Sequence, residues 1–73
     1  MPQINTDEDL QNLFAYHAPK GDQVERYGKI RAAGLELARV IRANCPPSAE
    51  QTLAIRAIHQ ATMHANSAIA CNE

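Results

Sequence analysis

Cys45-Pro46-Pro47-Ser48-Ala49-Glu50-Gln51 decides the fold of this chain. Two consecutive prolines cannot continue a helix, because each lacks the backbone N–H and each ring clashes with the preceding turn. The four residues that follow, Ser48-Ala49-Glu50-Gln51, read as a capping box: a hydroxyl at the cap and a Gln three positions on. One helix therefore stops and another starts within a few residues. A two-proline break suits a tight hairpin and a kink equally well, and both stay open at this stage.

Outward from the break, both flanks carry helical periodicity. Upstream, Val24, Tyr27, Ile30, Gly34, Leu37, Ala38 and Ile41 recur at steps of three and four, giving a helix to about Asn44. Leu35 and Val40 lie off that stripe and imply a second buried face, which in so small a protein points to contacts between subunits. Downstream, Ile55, Ile58, Thr62, Ala65 and Ile69 keep the same spacing to about Ala70. Beside them Ala54, Ala57, Ala61 and Ala68 form a small-residue strip of the kind that permits close helix approach.

Toward the N-terminus, Tyr16-His17-Ala18-Pro19-Lys20-Gly21 is a loop, because Pro19 disfavours helix at Ala18 and Gly21 permits unusual dihedrals. Asp22-Gln23-Val24-Glu25 then reads as a capping box with Asp at the cap. Before the loop, Thr6-Asp7-Glu8-Asp9 places a hydroxyl cap and three carboxylates where a helix dipole favours them. Leu10, Leu13 and Phe14 supply its apolar stripe, so a short first helix spans roughly residues 6–15. No stretch alternates as a strand does. The expectation is one all-α domain over 1–73: a short helix, then two longer ones.

The domain is poorly equipped to stand alone. Of its 73 residues 45% are hydrophobic, but 13 are Ala and only 16 are Leu, Ile, Val, Met or Phe. Below about 70–80 residues a single core rarely supplies more than ~3–5 kcal/mol, so an oligomer whose subunits complete each other's core is expected. No apolar run approaches the ~20 residues of a membrane span, and the opening Met1-Pro2-Gln3-Ile4-Asn5 is unlike a signal peptide. Cys45 and Cys71 lack metal or redox spacing, and a disulfide between them would need a hairpin to bring them together. They read as two buried or semi-buried thiols in a reducing cytoplasm.

A net charge of −1 excludes a globally basic nucleic-acid binder, yet it hides an asymmetry. Six of the seven bases, Lys20, Arg26, Lys29, Arg31, Arg39 and Arg42, fall within residues 20–42. One reading is a solvated helix face, with Asp22–Arg26 and Glu25–Lys29 as i, i+4 pairs. The other is a phosphate site on Lys20, Arg31 and Arg26 near Tyr16 and Tyr27, where Arg forks hold oxygens and an aromatic face stacks on a base. No catalytic set is legible. Gly21, Gly28 and Gly34 fit no phosphate-loop fingerprint. His59 and His64, five apart, do not share a helix face as a metal pair would. His17 is the one histidine near the basic segment. The chain reads as a binder that needs no cofactor or metal, and not as an enzyme.

The run from Tyr16 to Arg31 (Tyr16-His17-Ala18-Pro19-Lys20-Gly21, then Arg26-Tyr27-Gly28-Lys29-Ile30-Arg31), Cys45-Pro46-Pro47-Ser48 and the ending Ala65-Asn66-Ser67-Ala68-Ile69-Ala70 together resemble the small phage-encoded anti-CBASS proteins that act as cyclic-oligonucleotide sponges. The resemblance covers roughly residues 14–73. It implies a helical hexamer in the cytoplasm of an infected bacterium. Such a protein sequesters the cyclic di- or trinucleotide messenger, 3′,3′-cyclic GMP-AMP for example, without cutting it, and so keeps the CBASS effector off. Carried onto this chain, it implies a dinucleotide site of Tyr16, His17, Pro19, Lys20, Arg26 and Arg31, shared between two subunits. Tyr16 stacks on a base while Lys20 and Arg31 hold phosphates. A trinucleotide site where three subunits meet would draw on Asn66 and Asn72. The chain departs from the family pattern at Cys71, where Arg is common, and at His64, where Trp is common. Neither DNA or RNA nor a membrane is an expected partner. The alternative from a different class is a helical protein–protein interaction module with no nucleotide ligand; a third, hydrolysis of the messenger through His17, predicts linear products.

Overall fold

A computed structural model describes residues 4–73. It contains three helices, α1 (Asp7–Phe14), α2 (Gln23–Asn44) and α3 (Ala49–Asn72), and no strand among the described residues. The all-α expectation holds, and the helix boundaries fall within two residues of those read from the sequence.

Each boundary has a local cause. At α1 the box is complete: Thr6 Oγ1 accepts from the Asp9 amide at 3.1 Å, and Asp9 Oδ2 accepts from the Thr6 amide at 3.2 Å and the Asn5 amide at 3.0 Å. The Asn5 amide first, then Thr6, holds the Asp9 carboxyl below its ordinary range. At α2 the box expected on Asp22 is absent. Asp22 makes no side-chain cap bond, and its carboxylate instead lies 3.2 Å from Arg26 Nε. The chain enters α2 through a turn closed by the Gln23 amide on the Lys20 carbonyl, 3.1 Å. Gly21 sits second in that turn at φ 58°, a conformation that glycine adopts without steric cost.

The Pro46-Pro47 break is a hairpin. Ser48 Oγ accepts from the Gln51 amide at 3.1 Å and donates to the Pro46 carbonyl at 3.0 Å. The Gln51 side chain does not return to the Ser48 amide, so only half of the expected box forms. It reaches back across the break to the carbonyls of Cys45 (3.0 Å) and Arg42 (3.4 Å). Those are orphan acceptors at the end of α2, and satisfying them ties the start of α3 beside it.

α2 and α3 then pack against each other along their length. From α2 the inward residues are Tyr27, Ile30, Gly34, Ala38 and Ile41; from α3 they are Ile55, Ile58, Thr62, Ala65 and Ile69. Val24 and Leu37, expected on the α2 stripe, are 61% and 50% exposed. At about 100° per residue they stand roughly 80° and 60° to either side of Gly34, the furthest of the set from its centre line. The Ala strip also corrects an expectation: Ala57, Ala61 and Ala68 face outward, and only Ala54 is half-buried. The closest approach is elsewhere. A Cβ on Gly34 would stand 2.5 Å from Thr62 Cγ2.

Hairpin formation does not join the two cysteines. Cys45 lies at the turn, where it is exposed and not buried or semi-buried as expected, because the Pro46-Pro47 turn packs against nothing; Cys71 lies near the far end of α3 and is half-buried. Most of a helix separates them, roughly 35 Å at 1.5 Å per residue, against the ~7 Å limit for a disulfide.

Among the described residues no apolar side chain is buried, and the one buried residue is Gln23. Leu35 and Val40 are open on this chain, as are Phe14 and Leu53. Accessible surface is 5631 Å², where a compact monomer of 8.0 kDa exposes about 4,450 Å². The radius of gyration is 15.2 Å, where a compact chain of this length has about 11 Å. No helix among the described residues is long and apolar enough to cross a membrane.

Candidate anion-binding site

The residues that converge lie at the open end of the hairpin. The register that sets Gly34 against Thr62 sets Gln23 against Glu73: eleven residues back along α2 and eleven forward past α3. There the Glu73 carboxylate meets the Arg26 guanidinium fork, with Nη1 donating to Oε2 at 2.8 Å and Nη2 to Oε1. Gln23 Nε2 also donates to Oε1, at 3.4 Å. Lys20 Nζ donates to the Glu73 main-chain oxygen at 2.5 Å. The other end of the Gln23 amide accepts from the Lys20 backbone N–H at 3.1 Å, which fixes the loop that carries Lys20. The buried Gln23 therefore couples the loop, the start of α2 and the end of α3. Arg26 first, then Gln23, lowers the Glu73 carboxyl to a pKa of about 2, and Glu73 in turn raises that of Arg26.

Each residue expected at the dinucleotide site can be placed. Lys20 and Arg26 come together, as described. Tyr16 stands on the loop and is 86% exposed, and Pro19 is exposed beside it. His17 is tied inward: its Nε2 donates to the Asn12 carbonyl at 2.8 Å, a bond whose acceptor has no proton to give. Asn12 Nδ2 donates to the Cys71 carbonyl at 3.1 Å, so α1 and the loop are pinned to the end of α3.

Arg31 lies apart. It is about 140° around α2 from Arg26 and ~7.5 Å along it. It borders a groove of about 650 Å³ between α2 and α3, walled by Leu35, Ile55, Ile58 and Met63, with Asn66 also at its edge. Two residues expected in different sites, Arg31 and Asn66, thus share one groove. The Asn66 Oδ1 there is buried without a hydrogen-bond partner. Asn72 lies elsewhere, and its Nδ2 donates to the Ala68 carbonyl at 2.8 Å. Arg31 has no ion-pair partner among the described residues, whereas Lys29 pairs with Glu25 at 3.6 Å. No cluster of three or more metal-ligating side chains occurs among the described residues.

Gln23 and Glu73 escape sequence reasoning. Each reads locally as helix-terminal polarity, and their meeting depends on the hairpin and its register.

The fold and this corner define a small helical hairpin with a cationic loop at its open end. The chain matches the family model described as Acb2/Tad1, hairpin domain, over residues 6–70, and it belongs to that family, the anti-CBASS sponge family. No curated protein and no solved structure matches it.

Proposed function

We propose that this chain is a phage immune-evasion protein that binds cyclic di- and trinucleotide messengers in the infected bacterial cytoplasm and withholds them, uncut, from the CBASS effector. The observation that carries this reading is the convergence of Lys20, Gln23 and Arg26 on one residue, Glu73, whose carboxylate Gln23 and Arg26 hold and whose main-chain oxygen Lys20 holds, beside an exposed Tyr16, in a chain of the sponge family. A phosphodiester offers two non-bridging oxygens in the geometry that an Arg fork takes bidentately. A tyrosine face alongside stacks on a base. Pro19 stiffens the loop between the two, and His17 anchors that loop to α1.

The working unit is a homo-oligomer, a hexamer by family resemblance. Two facts support it. The chain exposes roughly 1,200 Å² more than a compact monomer of its mass would. Arg31 also faces away from Arg26, so a dinucleotide site that uses both needs residues from a second copy. Asn66, with its unpartnered oxygen, is the better placed of the two residues assigned to the trinucleotide site.

The test is a single incubation. The protein is mixed with 3′,3′-cyclic GMP-AMP, free ligand is removed by filtration, and the retained protein is heated and its release chromatographed. Ligand retained and returned intact is the expected result. Linear product would make the protein an enzyme. Ligand left in the filtrate, with cyclic tri-adenylate behaving likewise, would refute nucleotide sequestration and favour an interaction module.

A further inference from the structure

The cations and amide at the open end of the hairpin are already occupied. Glu73 presents two carboxylate oxygens to Arg26, one of them shared with Gln23, and its main-chain oxygen to Lys20. A phosphodiester carries the same single charge and a similar pair of oxygens. It would use the same donors, because a guanidinium fork whose two Nη atoms both point at one carboxylate has no second bidentate edge facing that way. The fork's remaining donor, Nε, lies against Asp22.

We propose that Glu73 is an internal occupant of the phosphate subsite, so that the ligand's phosphate binds by displacing the Glu73 carboxylate from Gln23 and Arg26, beside Lys20, whose bond to Glu73 is to the main-chain oxygen. This rests on the sequestration reading above and adds two residues to it. Gln23 becomes a third phosphate donor through Nε2, held in place by its other contact with the Lys20 amide. Glu73 becomes the competitor that sets how tightly the subsite holds an anion. The exchange is one anion for another at an unchanged set of donors, so it needs no other rearrangement than release of the last turn of α3. Displacement is feasible because the Glu73 side chain is 41% exposed and that of Arg26 34%, which keeps their mutual attraction screened.

The experiment is calorimetric titration of 3′,3′-cyclic GMP-AMP into the full chain and its Glu73→Gln and Glu73→Ala variants, at low and at moderate salt, with helicity and oligomer size checked for each. Glu73→Gln removes the charge and keeps the shape; Glu73→Ala also removes the acceptors. Both variants are expected to bind about 2- to 5-fold more tightly than the parent, the range that exposed ion pairs support. The advantage should shrink as salt rises. Binding by a variant where the parent shows none would support the proposal more strongly still. A parent that binds and variants that bind equally or more weakly would overturn the proposal and leave sequestration standing. No binding by any of the three would overturn both.

Discussion

Gly34 faces Thr62 where the two long helices come closest, and Gly34→Ala sets two known effects against each other. Replacing a mid-helix glycine by alanine adds about 1 kcal/mol of helix stability. The new Cβ, however, would stand 2.5 Å from Thr62 Cγ2 and 3.6 Å from Ile58 Cγ2. The nearer atom cannot swing away cheaply. It is a branch on Cβ, and the rotamer is held by Thr62 Oγ1 donating to the His59 carbonyl at 2.7 Å. The helices must therefore separate or the threonine must leave its rotamer, and overpacking of this kind costs ~1–3 kcal/mol. The penalty exceeds the gain, so Gly34→Ala is expected to destabilise the protein by about 1 kcal/mol. Thr62→Ser removes Cγ2 and keeps the hydroxyl. In that background the same Gly34→Ala change meets no close atom, and it should stabilise by up to about 1 kcal/mol. The assay is urea unfolding followed by circular dichroism for the four proteins of the cycle, at one protein concentration because association contributes to the midpoint. A Gly34→Ala variant that is more stable than its parent, or the same effect in both backgrounds, would refute the packing argument.

Tyr16→Ala should weaken cyclic dinucleotide binding by about 5- to 150-fold, since base stacking is worth ~1–3 kcal/mol, and should leave oligomer size unchanged; unaltered affinity in titration would move the base-binding surface elsewhere. Glu73 has its carboxyl lowered to about 2 from an ordinary 4.5 by Arg26 and Gln23, so the stability it contributes is fully present above pH 4.5 and is lost as pH falls toward 2. The difference in urea midpoint between the parent and Glu73→Gln should accordingly be constant from pH 7 to 5 and vanish on further acidification. Asp9 also titrates low but is common to both proteins. A difference still undiminished at pH 2 would place the stabilising effect of Glu73 in something other than its ionised contact with Arg26 and Gln23. Thr6→Ala removes the cap of α1 and costs about 0.5–2 kcal/mol. Amide exchange within residues 7–14 should accelerate about 2- to 30-fold with α2 and α3 unaffected, and acceleration across all three helices would mean that α1 does not open independently.

The legible part of this protein is local. Thr6, Ser48, the two prolines and the three-and-four spacing of isoleucines act through bonds within a few residues of themselves, so helix existence and boundaries follow from sequence alone. The loop residues Tyr16, Pro19 and Lys20, and the charge of the second helix, are local in the same sense. Asp22 shows the limit even there. Its carboxylate had two partners within four residues, the helix amides and Arg26, and it took the cation. Val24 and Leu37 show a second limit. A periodic stripe is wider than the contact face, and only the partner helix selects its centre.

By itself, then, the amino-acid order determines three helices, the break between the longer two, a cationic loop and a shortage of core. The tertiary structure decided what the break does and what the loop faces. Pro46-Pro47 folds back, with Gln51 reaching the carbonyls of Arg42 and Cys45 across the turn and α2 packed against α3 beyond it. The fold-back in turn sets a register that brings Glu73 to Lys20, Gln23 and Arg26 across some fifty residues of chain. Contacts at that separation arise from geometry summed along two helices, and no single residue type or spacing encodes them.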